Sequence, residues 1–188
     1  MRQASEHTNK RPTGTNLGLE RLGYVVSWIY RNGMSWYDLP SIISGMVNLR
    51  GIPDILVIHC GANDEVREPC GKLLHEMRVT IVRLIWQIVP GCPIVFSQML
   101  PRLSWRGSFN DILIERTRRR INRGLRAFLL DRRCYIICHP DFDDKHPGFF
   151  SEDGVHLSFI GLDIFINSLQ GGLETFLTKP WELSFPVD

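Results

Sequence analysis

Short apolar runs and longer amphipathic stretches alternate along the chain. The apolar runs lie at residues 24–30, 55–60, 94–97 and 134–138. Because they are apolar nearly throughout, they are typical of strands that a parallel sheet buries on both faces. The first run is rich in aromatic and β-branched residues and is followed by an Asn32-Gly33 turn. We therefore predict a strand at each of the four runs.

Between and after these runs, apolar residues recur at the three- and four-residue spacing of a helix. This spacing predicts helices at about residues 38–49, 68–89, 109–130 and 158–177, the first capped by Asp38. Strands that alternate with helices predict an α/β fold with a parallel sheet and helices on both faces. We expect one domain at residues 17–178, after a polar N-terminal segment (1–16) and before an irregular tail (179–188).

Composition narrows the class of protein. The 188 residues are 44% hydrophobic and 22% charged, which is ordinary for one globular domain. A net charge of +2 is too small to make nucleic acid the expected partner. Five cysteines at irregular spacing suggest reduced thiols. The sequence shows no membrane-length apolar run and no signal peptide, so we expect a cytoplasmic or nuclear protein. We also expect no metal and no cofactor.

Two short segments follow strand-like runs, where open parallel sheets place their sites. In Gly61-Ala62-Asn63-Asp64, the glycine allows a sharp turn and the amide of Asn63 could donate to an oxyanion. The alternative is a simple turn, since Gly, Asn and Asp all favour turns.

The second segment is Asp153-Gly154-Val155-His156. A carboxylate three residues before a histidine can hold one ring nitrogen and leave the other free as a general base. The alternative is a helix cap beside an incidental surface histidine.

Together and in this order, the two segments resemble the SGNH hydrolases, also called GDSL esterases and lipases. The resemblance covers roughly residues 17–177 and implies a three-layer α/β/α, flavodoxin-like parallel sheet. The chain is also similar to SGNH domains in open reading frames of vertebrate retroelements. Four runs support this second likeness: residues 53–57, 99–102, 153–157 and 161–165.

The resemblance also implies roles for individual residues of an esterase that acts on small acyl esters. His156 would be the general base, and Asp153 would orient it. Asn63 would donate its side-chain amide to the oxyanion, and Gly33 would add its backbone N–H. Gly61 would allow the turn that aims Asn63.

The chain departs from the family at its first block, a strand that ends in a nucleophilic serine. No apolar run precedes Leu17, and Ser5, Ser35 and Ser97 are poor matches to the nucleophile. We therefore expect a sheet without its first strand, a truncated or decayed copy of a longer gene, and no detectable esterase activity.

Two other kinds of function remain open. Arginines at helical spacing could bind nucleic-acid phosphates, or could form an ordinary solvated helix face: Arg116, Arg119, Arg120, Arg123 and Arg126, with Arg132 and Arg133 just beyond. A dense loop of imidazoles and carboxylates could hold a divalent ion, although its spacing matches no defined site: His139, Asp141, Asp143, Asp144, His146, Asp153 and His156.

Overall fold

Four parallel strands form one sheet in the computed structural model, which describes residues 16–105, 107 and 110–187. The strands are β1 (Leu56–Ile58), β2 (Ile94–Ser97), β3 (Tyr135–Ile137) and β4 (Ser184–Phe185), and they neighbour one another in that order. Val57 pairs with Val95 in the register of β1 and β2, and Phe96 pairs with Ile136 in that of β2 and β3.

Four α-helices in the described ranges alternate with the strands, each one preceding a strand. They are α1 (Leu39–Arg50), α2 (Cys70–Arg83), α3 (Asp111–Leu130) and α4 (Phe159–Thr178). A π-helical turn, Leu84–Ile88, continues α2, so the second helical segment ends near the predicted position. The predicted cap of the first helix is wrong: the Asp38 side chain accepts a hydrogen bond from the Ser35 N–H at 3.1 Å and makes no cap bond to α1.

The side chains of each strand point alternately into two cores. Phe96 and Ile136 pack in the core that contains buried residues of α1, α2 and α3. Val95 and Ile137 pack in the second core, which contains buried residues of α4. Helices therefore cover both faces of the sheet, and the predicted three-layer α/β/α fold with a parallel sheet is confirmed.

The predicted strand at residues 24–30 is wrong, because this segment has no regular secondary structure. Its side chains nevertheless alternate: Tyr24, Val26 and Trp28 pack against the α4-side core, whereas Val25 is 87% exposed. Strand-like burial is thus present in a segment that has no regular secondary structure. The Val26 N–H instead donates to the Asn16 side chain at 2.6 Å.

We predicted an irregular tail at residues 179–188. Residues 184–185 instead form β4, so the segment is only partly irregular. The N–H of Ile136 donates to the Leu183 carbonyl at 2.9 Å, and that of Cys138 donates to the Phe185 carbonyl at 2.7 Å. These bonds satisfy backbone donors at the outer edge of β3, where an unpaired buried N–H would be costly. Two flanking prolines and a length of two residues hide this strand in the sequence.

The five cysteines are all free thiols, and no helix within the described ranges is both long and apolar enough to cross a bilayer.

Glycine permits close packing at the start of α4. A side chain at Gly161 would collide with the backbone carbonyl of Phe149, which cannot rotate away. Gly161→Ala should therefore lower the free energy of unfolding by about 1–3 kcal/mol. The matched control is Gly45→Ala in α1, where no atom lies within 4 Å of the new methyl group. This variant should be up to about 1 kcal/mol more stable, since alanine favours helix.

Urea unfolding followed by circular dichroism measures both changes. Equal stability of Gly161→Ala and the unaltered protein would contradict the close approach of α4 to Phe149.

Candidate active site

Gly61 begins the turn that follows β1. Its φ of 115° lies in the region that favours glycine. A side chain there would collide with Met77 and lie 3.0 Å from the sulfur of Met99. The turn closes with a hydrogen bond of 3.0 Å from the Asp64 N–H to the Gly61 carbonyl. Both conformation and space therefore require glycine at this position.

The side-chain amide of Asn63 is held from both ends. Its Nδ2 donates to the Met34 carbonyl at 3.1 Å, and its Oδ1 accepts from Arg102 at 3.0 Å. A carbonyl only accepts and a guanidinium only donates, so these partners fix which way the amide points. An amide nitrogen carries two hydrogens, and the described residues provide an acceptor for one of them. The second N–H is available to a ligand.

Asp64 joins this turn to the segment around Gly33. Its side chain is 2% exposed and accepts from the Ser35 hydroxyl at 2.5 Å and from the Trp36 N–H at 2.8 Å. Gly33 has a φ of 66° and directly precedes Met34, whose carbonyl holds Asn63. The structure thus brings Gly33 and Asn63 to neighbouring loops. Sequence reasoning missed Asp64, because Asp is common in turns and its buried partners are distant in sequence.

The Asp153–His156 pair forms the hydrogen bond that its spacing predicts. The Nδ1 of His156 lies 2.6 Å from Oδ2 of Asp153. The other oxygen of Asp153 accepts from the backbone N–H groups of Val155 (2.9 Å) and His156 (3.0 Å). These backbone bonds, followed by the His156 side chain, hold the pKa of Asp153 well below its usual range. Asp153 is therefore ionised at neutral pH and orients a ring whose side chain is 65% exposed.

One segment binds both blocks. Arg102 holds Asn63, and the N–H groups of Leu103 and Ser104 both donate to the Gly154 carbonyl, at 2.8 and 3.2 Å. Arg102 also stacks over the Trp105 ring, with its guanidinium carbon 4.8 Å from the ring centroid. Residues 102–104 therefore connect the Asn63 turn to the Asp153–His156 turn.

The candidate serines do not complete a triad. Ser35 donates its hydroxyl to Asp64, and Ser97 is fully buried. Within the described ranges, the Nε2 atom of His156 has no hydrogen-bond partner. Ser5 lies outside the described residues.

A cluster of the buried residues Ser97 and His139 with the more exposed His59 lies where β1, β2 and β3 end. The Ser97 hydroxyl is 3.0 Å from Nδ1 of His59 and 2.8 Å from Nε2 of His139. Burial lowers the pKa of His139 to about 3. Desolvation by the surrounding protein also lowers the pKa of His59, to about 4, although the residue as a whole is exposed. Sequence reasoning did not assemble the three, although each lies at or just after a predicted strand end.

Glu65 is a second residue that the sequence did not single out. It is 2% exposed, and neither carboxyl oxygen has a hydrogen-bond partner among the described residues. Burial raises the pKa of Glu65 to about 9, although Arg118 and Arg102 act in the opposite direction. The group is therefore a neutral acid at pH 7.

The loop of imidazoles and carboxylates after β3 does not assemble into a metal centre. No group of three or more His, Cys, Asp or Glu side chains is placed to hold a metal ion in the part of the chain that the structure describes. His139 faces Ser97, and His146 accepts from the Gly148 N–H at 3.2 Å. The two imidazoles thus have different hydrogen-bond partners and do not converge on one site.

Three solved structures of similar fold match most of the chain. One is a family 3 carbohydrate esterase from Clostridium thermocellum (TM-score 0.64, 15% identity, 87% of this chain and 85% of that protein). Another is a GDSL-like lipase from Bacteroides thetaiotaomicron (0.63, 16%, 86% and 78%). The third is an acetyl esterase with a serine-to-alanine substitution and an acetate ion (0.60, 15%, 79% and 70%).

No family model and no curated protein matches the sequence. The likeness to the three solved structures shows that the chain shares the α/β fold of these esterases and lipases.

The pKa of His139 predicts how stability depends on pH. The unfolded chain binds a proton at this residue below about pH 6.5, whereas the folded protein does so only near pH 3. Stability is thus present above pH 6.5 and falls as the pH decreases. Between pH 7 and 5, His139 should account for a loss of about 2 kcal/mol in the free energy of unfolding.

Urea unfolding at pH 7, 6 and 5 measures this loss, with His139→Gln as the comparison. The variant has no proton to bind at this position, so its stability should decline less steeply. Parallel pH profiles for the two proteins would show that folding does not lower the pKa of His139.

Proposed function

We propose that the chain is an SGNH-type ester hydrolase domain. It retains the oxyanion donor and the Asp–His general base and lacks the nucleophilic serine. One observation carries this proposal: the segment at residues 102–104 hydrogen-bonds both to Asn63 and to the turn that contains Asp153 and His156. The proposed oxyanion donor and the proposed general base are thus both connected to one loop beyond the carboxyl ends of the strands, where sheets of this type form their sites.

Asn63 is suited to stabilise an oxyanion because its amide is fixed before any ligand arrives. Donors that need no reorientation are the most effective at stabilising charge that develops in a transition state. The second N–H of Asn63 would bind the oxyanion of an acyl ester, and the backbone N–H of Gly33 would be the second donor. The positive φ of Gly33, 66°, is compatible with this role.

His156 is suited to act as the base because Asp153 takes its Nδ1 atom and leaves Nε2 unoccupied by described residues. The ionised Asp153 would stabilise the imidazolium that forms when His156 accepts a proton. In a complete site, that proton would come from a serine hydroxyl as its oxygen attacks the ester carbonyl.

The proposed impairment follows from the missing hydroxyl. Ser35 is engaged with Asp64, and Ser97 is engaged with His59 and His139, so neither offers its oxygen to His156. Serine hydrolases without their nucleophile keep only the small rate enhancement of binding and of the oxyanion hole. The alternating burial of residues 24–30, with Tyr24, Val26 and Trp28 packed against the α4-side core and Val25 exposed, supports the further proposal that this sequence lacks a neighbouring strand that bears the serine.

The likeness to retroelement domains is also part of this proposal, supported by the sequence runs that suggested it. Sequencing of the transcript upstream of Met1 tests the truncation. An in-frame strand ending in Gly-x-Ser is expected, and a long upstream message without one would contradict it.

The 188 residues as they stand should show no turnover of p-nitrophenyl acetate above the buffer rate. His156→Ala and Asp153→Ala should behave identically to the unaltered chain, because no nucleophile depends on them. Release of p-nitrophenolate, followed by absorbance, measures this. Turnover that His156→Ala abolishes would show that a serine of this chain does act as the nucleophile.

The proposed oxyanion donor, Asn63, should still bind the carboxylate product of ester hydrolysis. The similar acetyl esterase structure contains an acetate ion together with a serine-to-alanine substitution. Titration of the ¹⁵N-labelled protein with sodium acetate to tens of millimolar should shift the side-chain amide signals of Asn63. Those of Asn48, an exposed residue of α1, should not move.

Sodium chloride at the same ionic strength is the control, and Asn63→Ala assigns the signals. Acetate shifts equal to the chloride shifts would contradict an oxyanion-binding role for Asn63.

A further inference from the structure

Helix α3 concentrates positive charge. It contains six arginines and two acidic residues, a net charge of +4, whereas the whole chain has a net charge of only +2. The rest of the chain is therefore net acidic, and the basic character of the protein belongs to this helix. Such segregation marks a surface that attracts an anionic partner despite a modest total charge.

Part of this charge is used within the fold. Arg118 is 4% exposed, donates to the Met99 carbonyl at 2.8 Å and binds Glu115 at 2.6 and 3.1 Å. Arg119 donates to the same carboxylate at 2.9 Å, and Lys145 lies 3.4 Å from it. Glu115 is thus shared among three cations and has no capacity for a fourth.

Three other arginines of α3 are uncompensated: Arg116, Arg120 and Arg123. All three are exposed, and none has an ion pair with a residue that the structure describes. Their spacing of four and three residues places them on one side of the helix over a rise of about 10 Å. We call these three residues the arginine face.

We propose that the arginine face of α3 binds the phosphate backbone of a nucleic acid without reading its sequence. A guanidinium donates two parallel hydrogen bonds to a phosphate, and three such groups in a row follow successive phosphates of one strand. Base recognition is not part of the proposal, because no exposed aromatic residue lies on α3 on which a base could stack.

A nucleic acid fits this face better than an anionic membrane does. Helices that lie on a membrane place large apolar side chains beside the basic ones. The large exposed apolar residues of α3 are Ile112 and Leu113, both in its first turn and before Arg116. Between Arg116 and Arg123, no large apolar residue is exposed.

The test uses fluorescence anisotropy with a labelled 20-base-pair DNA duplex and a labelled 20-nucleotide RNA. Binding at 50 mM NaCl should be weak, with a Kd in the range of 10⁻⁴ to 10⁻⁶ M that is usual for sequence-independent contacts. Three phosphate contacts predict a slope of log K against log salt of about −2.7 on the duplex. Affinity should therefore fall about 40-fold between 50 and 200 mM NaCl.

Variants separate the face from total charge. The triple variant Arg116→Ala, Arg120→Ala, Arg123→Ala should bind at least about tenfold more weakly and with a flatter salt slope. The matched control, Arg31→Ala, Arg50→Ala, Arg83→Ala, removes the same charge from exposed positions elsewhere. It should retain most of the affinity, and circular dichroism verifies that both variants fold.

Three results would overturn the proposal. The first is equal loss of affinity in the two triple variants, because total charge would then explain binding. The second is an unchanged salt slope in the α3 variant. The third is binding to phosphatidylserine vesicles in the absence of binding to either nucleic acid, which would assign the face to a membrane.

Discussion

The buried carboxylate of Asp64 determines how the loops around the site can be arranged. It accepts from the Ser35 hydroxyl and from the Trp36 N–H, and it is 2% exposed. A buried carboxylate without such donors would be strongly destabilising. The segment that contains Gly33 and Met34 must therefore lie beside the turn after β1. Once it does, the Met34 carbonyl is in place to hold the amide of Asn63.

The adjacent acid, Glu65, is also buried but is stabilised by protonation rather than by hydrogen-bond donors. Glu65 is as buried as Asp64 but has no hydrogen-bond donor among the described residues, and its raised pKa of about 9 keeps it protonated. A neutral Glu65 does not compete for the guanidinium of Arg102, which donates to the side-chain oxygen of Asn63. Of the two adjacent acids, Asp64 is stabilised by hydrogen-bond donors, whereas Glu65, which no described donor reaches, keeps its proton.

The sequence predicts the sheet better than it predicts the partners of each strand. Continuous apolar runs correctly indicated β1, β2 and β3, because burial on both faces leaves a strong compositional trace. Residues 24–30 carry the same trace but form no regular secondary structure, because an apolar composition does not by itself build the ladder that defines a strand. Conversely, β4 consists of two residues between prolines and is defined by its contacts with β3.

A similar limit applies to the candidate site. The contact between Asp153 and His156 is local and could be predicted from spacing, as could the turn at Gly61. The partners of Asn63 and Asp64 lie about 30 residues or more away along the chain, at Met34, Ser35 and Arg102. No short-range pattern encodes contacts of that length, so the anchoring role of Asp64 became visible only in the folded chain.

The motif residues also have structural roles that are independent of catalysis. Asp153 accepts two backbone N–H groups and one imidazole, and Asn63 bridges two loops. Leaving such buried or partly buried donors unsatisfied costs about 1–3 kcal/mol each. Selection for a stable fold would therefore keep these residues even in a chain without a nucleophile. Their presence supports the fold and the geometry of the site, whereas the proposed esterase activity would need a serine hydroxyl within reach of His156.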